Sequence, residues 1–283
     1  MLKFFNIIRA WLEPGYNLIA QPPPGYDPGD TAQREGMYAV GIELLYRLGK
    51  CSEEEYEFTR VRYEEVLSRL SDPWNDGFIR RYPDPNYWGG RSDRLSRDQA
   101  IPNIVAMGFM NRKRLKMFFW GHLKSRALLF MTNTRNNWAW PPGHPEYDEI
   151  KYKWKLPDVT LFSFWATYIR AFNNYLLYPS LLFLDLELLA SVLIKCFWYG
   201  RDRSKNDDLN LQIELLQTMV RMPTPTSKLA VWAYKKFRPY PNNSQGATNV
   251  AQACLNAYFR NPDNPGPKLE EVYRDITTHY FEE

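Results

Sequence analysis

The sequence predicts an all-α protein, and three features of the chain support this fold class. Hydrophobic residues make up 45% of the 283 residues, which is enough for a sizeable core. Helical runs follow one another through most of the chain, and Gly or Pro residues separate them. Capping sequences precede several of these runs. We therefore expect serial helical hairpins in a single domain that spans residues 1–283.

The first two long helices are predicted from their starts. The segments Asp30–Gln33 and Ser52–Glu55 both fit the capping box, in which the first and fourth side chains satisfy free backbone amides reciprocally. The first segment opens a helix that extends to about Leu48, and the second opens one that extends to about Leu70.

The rest of the chain continues this helical pattern. Further helices are predicted over residues 97–131 with an irregularity at Pro102, and over 158–177, 180–199, 208–221, 226–236, 247–259 and 268–281. The one plausible strand lies at 150–156, so we expect at most one small β-hairpin. Two long connections, 72–95 and 132–157, are rich in Trp, Tyr, Pro and Gly and are predicted to be ordered loops at one end of the helical body.

Several classes of function are not supported by the composition. A formal net charge of +4 without a long basic stripe argues against a nucleic-acid partner. The three Cys and three His residues are scattered, so no disulfide framework, metal site or His-based triad is expected. The chain also has no phosphate-binding Gly-rich loop and no nucleophile elbow. We expect no cofactor.

The cellular setting is predicted from two apolar segments. Residues 1–12 are predicted to form a short amphipathic helix and do not resemble a convincing signal peptide, because Asn6 and Arg9 interrupt the apolar run. The apolar stretch 175–199 contains Asp185, Glu187 and Lys195, which favours a buried core helix over a transmembrane span. We therefore expect a cytoplasmic protein without a transmembrane segment.

The loop before the third long helix carries the densest polar chemistry. Residues 72–95 contain four Asp, four Arg and five aromatic residues. Aromatic faces beside carboxylates and guanidinium groups suit sugar recognition, and a pair of Asp residues can supply acid and base for glycoside cleavage. The candidate catalytic residues are Asp93 and Asp98. The candidate substrate-binding residues are Trp74, Tyr87, Trp88, Arg94 and Arg97.

The same loop also has a structural interpretation. Ser96 and Gln99 form a further capping box, Asp98 favours the positive start of a helix, and Arg–Asp pairs can hold a long loop without catalysis. Pro102 would then fall inside the helix and remove the hydrogen bond to the carbonyl of Asp98.

A second candidate site lies at the start of the earlier helix, at Asp30, Arg34 and Glu35. This region resembles the start of the third long helix in sequence: a capped start is followed by residues 39–41 (Ala-Val-Gly) in one helix and by residues 106–108 (Ala-Met-Gly) in the other. The similarity is a hint of repeated helical hairpins. Close packing through small residues is its simpler explanation.

Serial helices, an aromatic and acidic loop before residues 96–99 (Ser-Arg-Asp-Gln) and long loops at one end resemble the (α/α) toroid superfamily of carbohydrate-active enzymes. The resemblance implies a partial toroid and a glycan ligand, and it assigns no catalytic residue.

Two functions remain open from the sequence. One is a carbohydrate-binding or carbohydrate-cleaving protein that uses the residues above. The other is a non-catalytic subunit of a larger assembly such as a virion, because an excess of Trp, Tyr and Arg also suits protein interfaces. Whether the protein is an enzyme is left open.

Overall fold

The computed structural model describes residues 12, 15–19, 31–47, 51–72, 77–84, 86, 95, 97–121, 163–172, 185–186, 188–190, 192–193 and 224–237. Within these residues the protein is all-α. The β-structure there consists of two isolated bridges, Leu12 with Ile19 and Ser71 with Ile79, and no sheet is formed. The predicted strand at 150–156 and the helices at 208–221, 247–259 and 268–281 lie outside the described residues.

The described part contains six helices of at least ten residues. They are α1 (Thr31–Arg47), α2 (Glu53–Arg69), α3 (Arg97–Met110), α4 (112–121), α5 (Ser163–Phe172) and α6 (Pro225–Phe237). The helix predicted from Asp30 to about Leu48 is helical over the described residues 31–47, and the predicted start and end of α2 are confirmed to within one residue.

The helical run predicted over residues 97–131 is helical in its described part, 97–121, and is divided into two helices at Asn111. The N–H of Asn111 still donates to the carbonyl of Met107 at 2.8 Å, which closes the last turn of α3. The Asn111 Oδ1 atom then accepts from the N–H of Arg114 at 2.9 Å. Asn111 therefore ends one helix and caps the next, as Asn is suited to do.

The start of α2 follows the capping prediction in part. Ser52 has extended backbone angles, and its Oγ accepts from the N–H of Glu55 at 3.2 Å. Glu53, Glu54 and Glu55 all lie in the first turn, where negative charge complements the helix dipole. The hydroxyl half of the capping box is therefore confirmed.

Helices α1 and α3 form an inner layer. Residues 31–43 and 99–108 are buried on every side of these helices. Ala32 and Gly36 contact Asn103, and the guanidinium of Arg47 lies 4.7 Å from the ring centroid of Phe109, so the two helices run in the same direction.

Helix α2 packs beside α1 in the opposite direction. Tyr46 stacks on Tyr56 with a centroid distance of 4.3 Å, and the hydroxyl of Thr59 lies 3.4 Å from that of Tyr38. The residues that α2 buries lie on one helical face, while its other face is exposed. The pair α1 and α2 is thus a helical hairpin, as predicted.

An aromatic cluster joins α4 to α5. Phe119 makes edge-to-face contacts with Tyr168 at 5.2 Å and with Phe172 at 5.6 Å. Phe118 packs against Phe78 of the preceding loop at 5.2 Å. Such offset or edge-on pairs add stabilisation beyond area burial, and here they hold the loop and the two helices together.

The segment at 185–193 is helical where it is described. Asp185, Leu188 and Val192 are buried, whereas Leu186 and Leu193 are exposed. Among the described residues, no helix is both long enough and apolar enough to cross a membrane.

Candidate functional site

The structure places only part of the predicted site. Arg34 lies in the first turn of α1 and is buried. Arg97 and Asp98 begin α3, and their side chains lie outside the described part of the chain. The remaining predicted site residues, Asp30, Trp74, Tyr87, Trp88, Asp93 and Arg94, also lie outside it.

The starts of α1 and α3 lie side by side, because one asparagine joins them. The Nδ2 atom of Asn103 donates to the carbonyl oxygens of Ala32 and Gln99, both at 2.7 Å. Its Oδ1 accepts from the hydroxyl of Tyr63 on α2 at 2.6 Å. The starts of α1 and α3 in the described residues, 31–35 and 97–99, therefore meet at one end of the inner layer.

Arg81, in the connection between α2 and α3, reaches this end of the two helices. The N–H of Ala32 donates to the carbonyl of Arg81 at 3.2 Å, and the Nε of Arg81 donates to Gln99 Oε1 at 3.2 Å. One residue of the charged loop thus contacts both helix starts. Sequence reasoning assigned Gln99 to a capping box and gave Arg81 no separate role.

Three arginines are buried near the start of α1. Arg34, Arg80 and Arg81 are each 6% exposed. The carbonyl of Arg81 accepts from the N–H of Ala32, and Arg80 adjoins Arg81 in the chain. The Nε of Arg80 lies 3.8 Å from Asp72 Oδ2, which is an ion-pair distance but too long for a hydrogen bond.

Two further polar atoms at this helix start are buried without a hydrogen bond in the described structure. They are Thr31 Oγ1 and Gln33 Nε2, whose residues are 0% and 6% exposed. Buried polar atoms normally have a partner, so such atoms call for a ligand, a water or another explanation.

Glu35 has a different role from the binding role that its position suggested. Its carboxylate receives two bonds from Arg62, at 2.5 and 2.6 Å, and a third from the N–H of Ile19 at 2.8 Å. The paired residues are almost fully buried. Glu35 therefore joins α1, α2 and the segment at 15–19, and it is a structural residue.

The surroundings of this ion pair change the pKa of its neighbours. Burial alone would lower the pKa of Arg62, but the charge and hydrogen bonds of Glu35 outweigh it and raise that pKa. Burial strongly raises the pKa of Tyr38 and of Tyr63. Both phenols remain neutral hydrogen-bonding groups at physiological pH, which argues against a role as a general base.

A small pocket lies between the segment at 15–19 and α2. It has a volume of about 170 Å³. Phe58, Val61 and Val66 supply its apolar wall, and Glu65 and Arg69 supply charge. Arg69 is engaged with the carbonyl of Tyr16. A drug-sized ligand needs a larger cleft than this.

The described residues offer no candidate site for a metal ion. No group of three His, Cys, Asp or Glu side chains there lies close enough together to hold an ion.

Comparison with known proteins adds no assignment. No protein-family description, curated protein or solved structure matches the chain.

Proposed function

We propose that this protein binds a carbohydrate at the end of the inner layer where α1 and α3 begin. The observation that carries the proposal is the meeting of the two helix starts at Asn103, with Arg81 in contact with both. The starts of these two helices are over sixty residues apart in the sequence and lie side by side in the structure.

The chemistry of these segments suits a sugar. Arginine and carboxylate groups bond hydroxyl groups in pairs, and the Trp and Tyr side chains of the loop offer faces on which sugar CH groups stack. In this proposal Trp74, Tyr87 and Trp88 stack on the ligand, while Asp30, Arg34, Arg94 and Arg97 bond to its hydroxyl groups.

Cleavage is the further step of the same proposal. Asp93 and Asp98 would act as acid and base, since glycoside hydrolysis uses a pair of carboxyl groups on either side of the bond. In the sequence, Asp93 lies four residues before α3 begins and Asp98 is the second residue of that helix.

The test combines a glycan screen with charge-removing variants. The full chain is screened on a glycan array and in a reducing-sugar assay against polysaccharides. We expect binding in the wild type and its loss in Asp98→Asn, which keeps the shape of the side chain. Glu57→Gln on the exposed face of α2 is the matched control and should bind like the wild type.

Thermal unfolding separates the two interpretations of Asp98. If Asp98 only complements the helix dipole, Asp98→Asn costs about 0.3–1 kcal/mol of stability and leaves glycan binding unchanged. That result would refute the assigned role. Absence of any glycan binding or cleavage by the wild type would refute the proposal as a whole.

A second candidate function, a subunit of a larger assembly, is favoured by exposed aromatic groups. Trp120 on α4 and Trp232 on α6 are 58% and 51% exposed, and Leu229 on α6 is 47% exposed. Trp is among the residues enriched at protein interfaces. A wild type that engages no glycan but sediments as a defined oligomer would support this alternative.

A further inference from the structure

The outer face of α2 exposes two apolar side chains that lie one helical turn apart. Phe58 and Val61 are 37% and 53% exposed. Together with the buried Val66 they form the apolar wall of the small pocket beside the segment at 15–19. An exposed apolar pair beside a concave surface is typical of a place where another molecule packs.

This face of α2 is also acidic. Four glutamates on the outer side of the helix are exposed: Glu53, Glu54, Glu57 and Glu65. Two of them pair with arginines of the same helix, Arg60 and Arg69. The two at the helix start form no ion pair within the described part of the chain, so this face has an excess of negative charge.

The outer face of α6 has apolar residues at the same interval and the opposite charge. Leu229 and Trp232, again one turn apart, are exposed. Lys228 and Lys236 are exposed on the same side, and the ammonium of Lys236 lies 5.1 Å from the ring centroid of Trp232. The sequence of α6 contains no acidic residue, so this face is basic.

The two faces match in the spacing of their residues. Positions 54, 58, 61 and 65 of α2 follow one another at intervals of four, three and four residues, and so do positions 225, 229, 232 and 236 of α6. When two such helices pack side by side, the apolar pair of one lies against the apolar pair of the other. Because the α2 face has glutamates near both of its ends, the lysines of α6 lie near carboxylates whichever way the helices run.

We propose that the α6 face of one copy of this chain packs on the α2 face of a second copy. The occupant is a second copy because each chain carries both of the complementary faces. Since the two faces differ, the contact is head-to-tail, and repeating it produces a ring or a filament. The inference goes beyond the carbohydrate site, does not depend on it, and gives the alternative of an assembly subunit a specific contact.

The size of the contact sets the expected strength. Helix α6 is roughly 20 Å long, so one face of it covers less than the roughly 1,600 Å² of a standard stable interface. We therefore expect association that depends on concentration, with a dissociation constant on the order of 10 μM.

Sedimentation velocity of the full chain over about 1–100 μM tests the proposal, because this range spans the expected dissociation constant. The average mass of the wild type should rise with concentration. Val61→Asp and Leu229→Asp should each stay monomeric, and Lys228→Glu should weaken association by about tenfold. Trp120→Asp is the matched control, because Trp120 is equally exposed but lies on α4, and this variant should associate like the wild type.

A mixture of two variants tests the head-to-tail arrangement. Val61→Asp keeps the α6 face and Leu229→Asp keeps the α2 face, so an equal mixture should form a dimer with one copy of each. Both substitutions are at exposed positions, where folding is little affected, and circular dichroism checks this.

Three results would overturn the inference. They are a wild type that stays monomeric throughout the concentration range, a Val61→Asp or Leu229→Asp variant that associates like the wild type, and a mixture of the two that remains monomeric. A Lys228→Glu variant of unchanged affinity would overturn the charge match that selects a second copy as the partner. The glycan array is read independently of these results, so failure of one proposal leaves the other in place.

Discussion

The side chain of Asn103 on α3 donates to the carbonyl oxygen of Ala32 on α1 at 2.7 Å, and this bond fixes the position of one inner helix against the other. Both residues are completely buried. The same amide group also bonds to Gln99, and its oxygen accepts from Tyr63. The contact therefore orients the region on which the proposed function depends.

Removal of this amide should destabilise the protein strongly. Asn103→Ala leaves the carbonyl of Ala32 and the hydroxyl of Tyr63 buried without their partner, so we expect a loss of about 3 kcal/mol or more in the free energy of unfolding. Urea denaturation measures it. Tyr63→Phe is the control that removes one of the bonds, with an expected loss of about 1 kcal/mol. A loss in Asn103→Ala no larger than that of the control would contradict this account.

The buried pair of Glu35 and Arg62 should show strong coupling. Arg62→Met leaves the Glu35 carboxylate buried without its counter-ion, at a cost of about 3–5 kcal/mol. Adding Glu35→Gln removes that charge and keeps an acceptor for the N–H of Ile19, so the double variant should recover part of the loss. A double-mutant cycle in chemical denaturation measures the coupling.

The exposed pair of Arg60 and Glu57 is the control for this cycle. It lies on the outer face of α2, and its coupling should stay below about 1 kcal/mol. Similar coupling energies for the buried and exposed pairs would contradict the structural role of Glu35.

Gly36 is predicted to be intolerant of a side chain. A Cβ atom at this position would lie 2.9 Å from the backbone N of Asn103 and 3.0 Å from its side-chain Cγ and Nδ2 atoms. Gly36→Ala should therefore cost about 1–3 kcal/mol through overpacking, even though Ala favours a helix by about 1 kcal/mol. Thermal unfolding tests this, and a rise in melting temperature would show that the two helices can separate freely.

Asp185 should make stability depend on pH. Burial raises its pKa, against the opposing effects of the hydrogen bond from Thr224 and the charge of Arg170. Because the folded pKa lies above the unfolded value, the protonated form is favoured in the folded state. Its stabilising contribution is fully present below the unfolded pKa and is lost as pH rises through the folded pKa.

The variant Asp185→Asn removes this titration. The free energy of unfolding of this variant should change less with pH than that of the wild type at pH values above 3.8, the ordinary pKa of the group. The side-chain oxygen of Asn still accepts the hydrogen bond from Thr224. Denaturation of both proteins at a series of pH values, with the wild-type curve as reference, measures the difference. Parallel curves for the two proteins would contradict the assignment.

The sequence alone predicted the local elements well where local chemistry decides them. The start of α2 depends on Ser52 and on three glutamates within one turn, and all four are adjacent in the chain. The buried Pro102 was also expected inside α3, and it lies there. The break at Asn111 was missed, although Asn is a favoured cap residue, because the helical pattern continues on both sides of it in the sequence.

Only the tertiary structure decided which polar residues act together. The sequence separates Ala32 from Asn103 by seventy-one positions, and no periodicity reveals that their atoms bond. The same holds for Glu35 and Arg62, since the spacing of charges along α1 and α2 is equally typical of two solvated helix faces. Local hydrogen bonds and the spacing of apolar residues determine where helices begin and end. The packing of one helix against another determines which polar side chains are buried and therefore need a hydrogen-bond or ion-pair partner. That selection is a property of the packed chain.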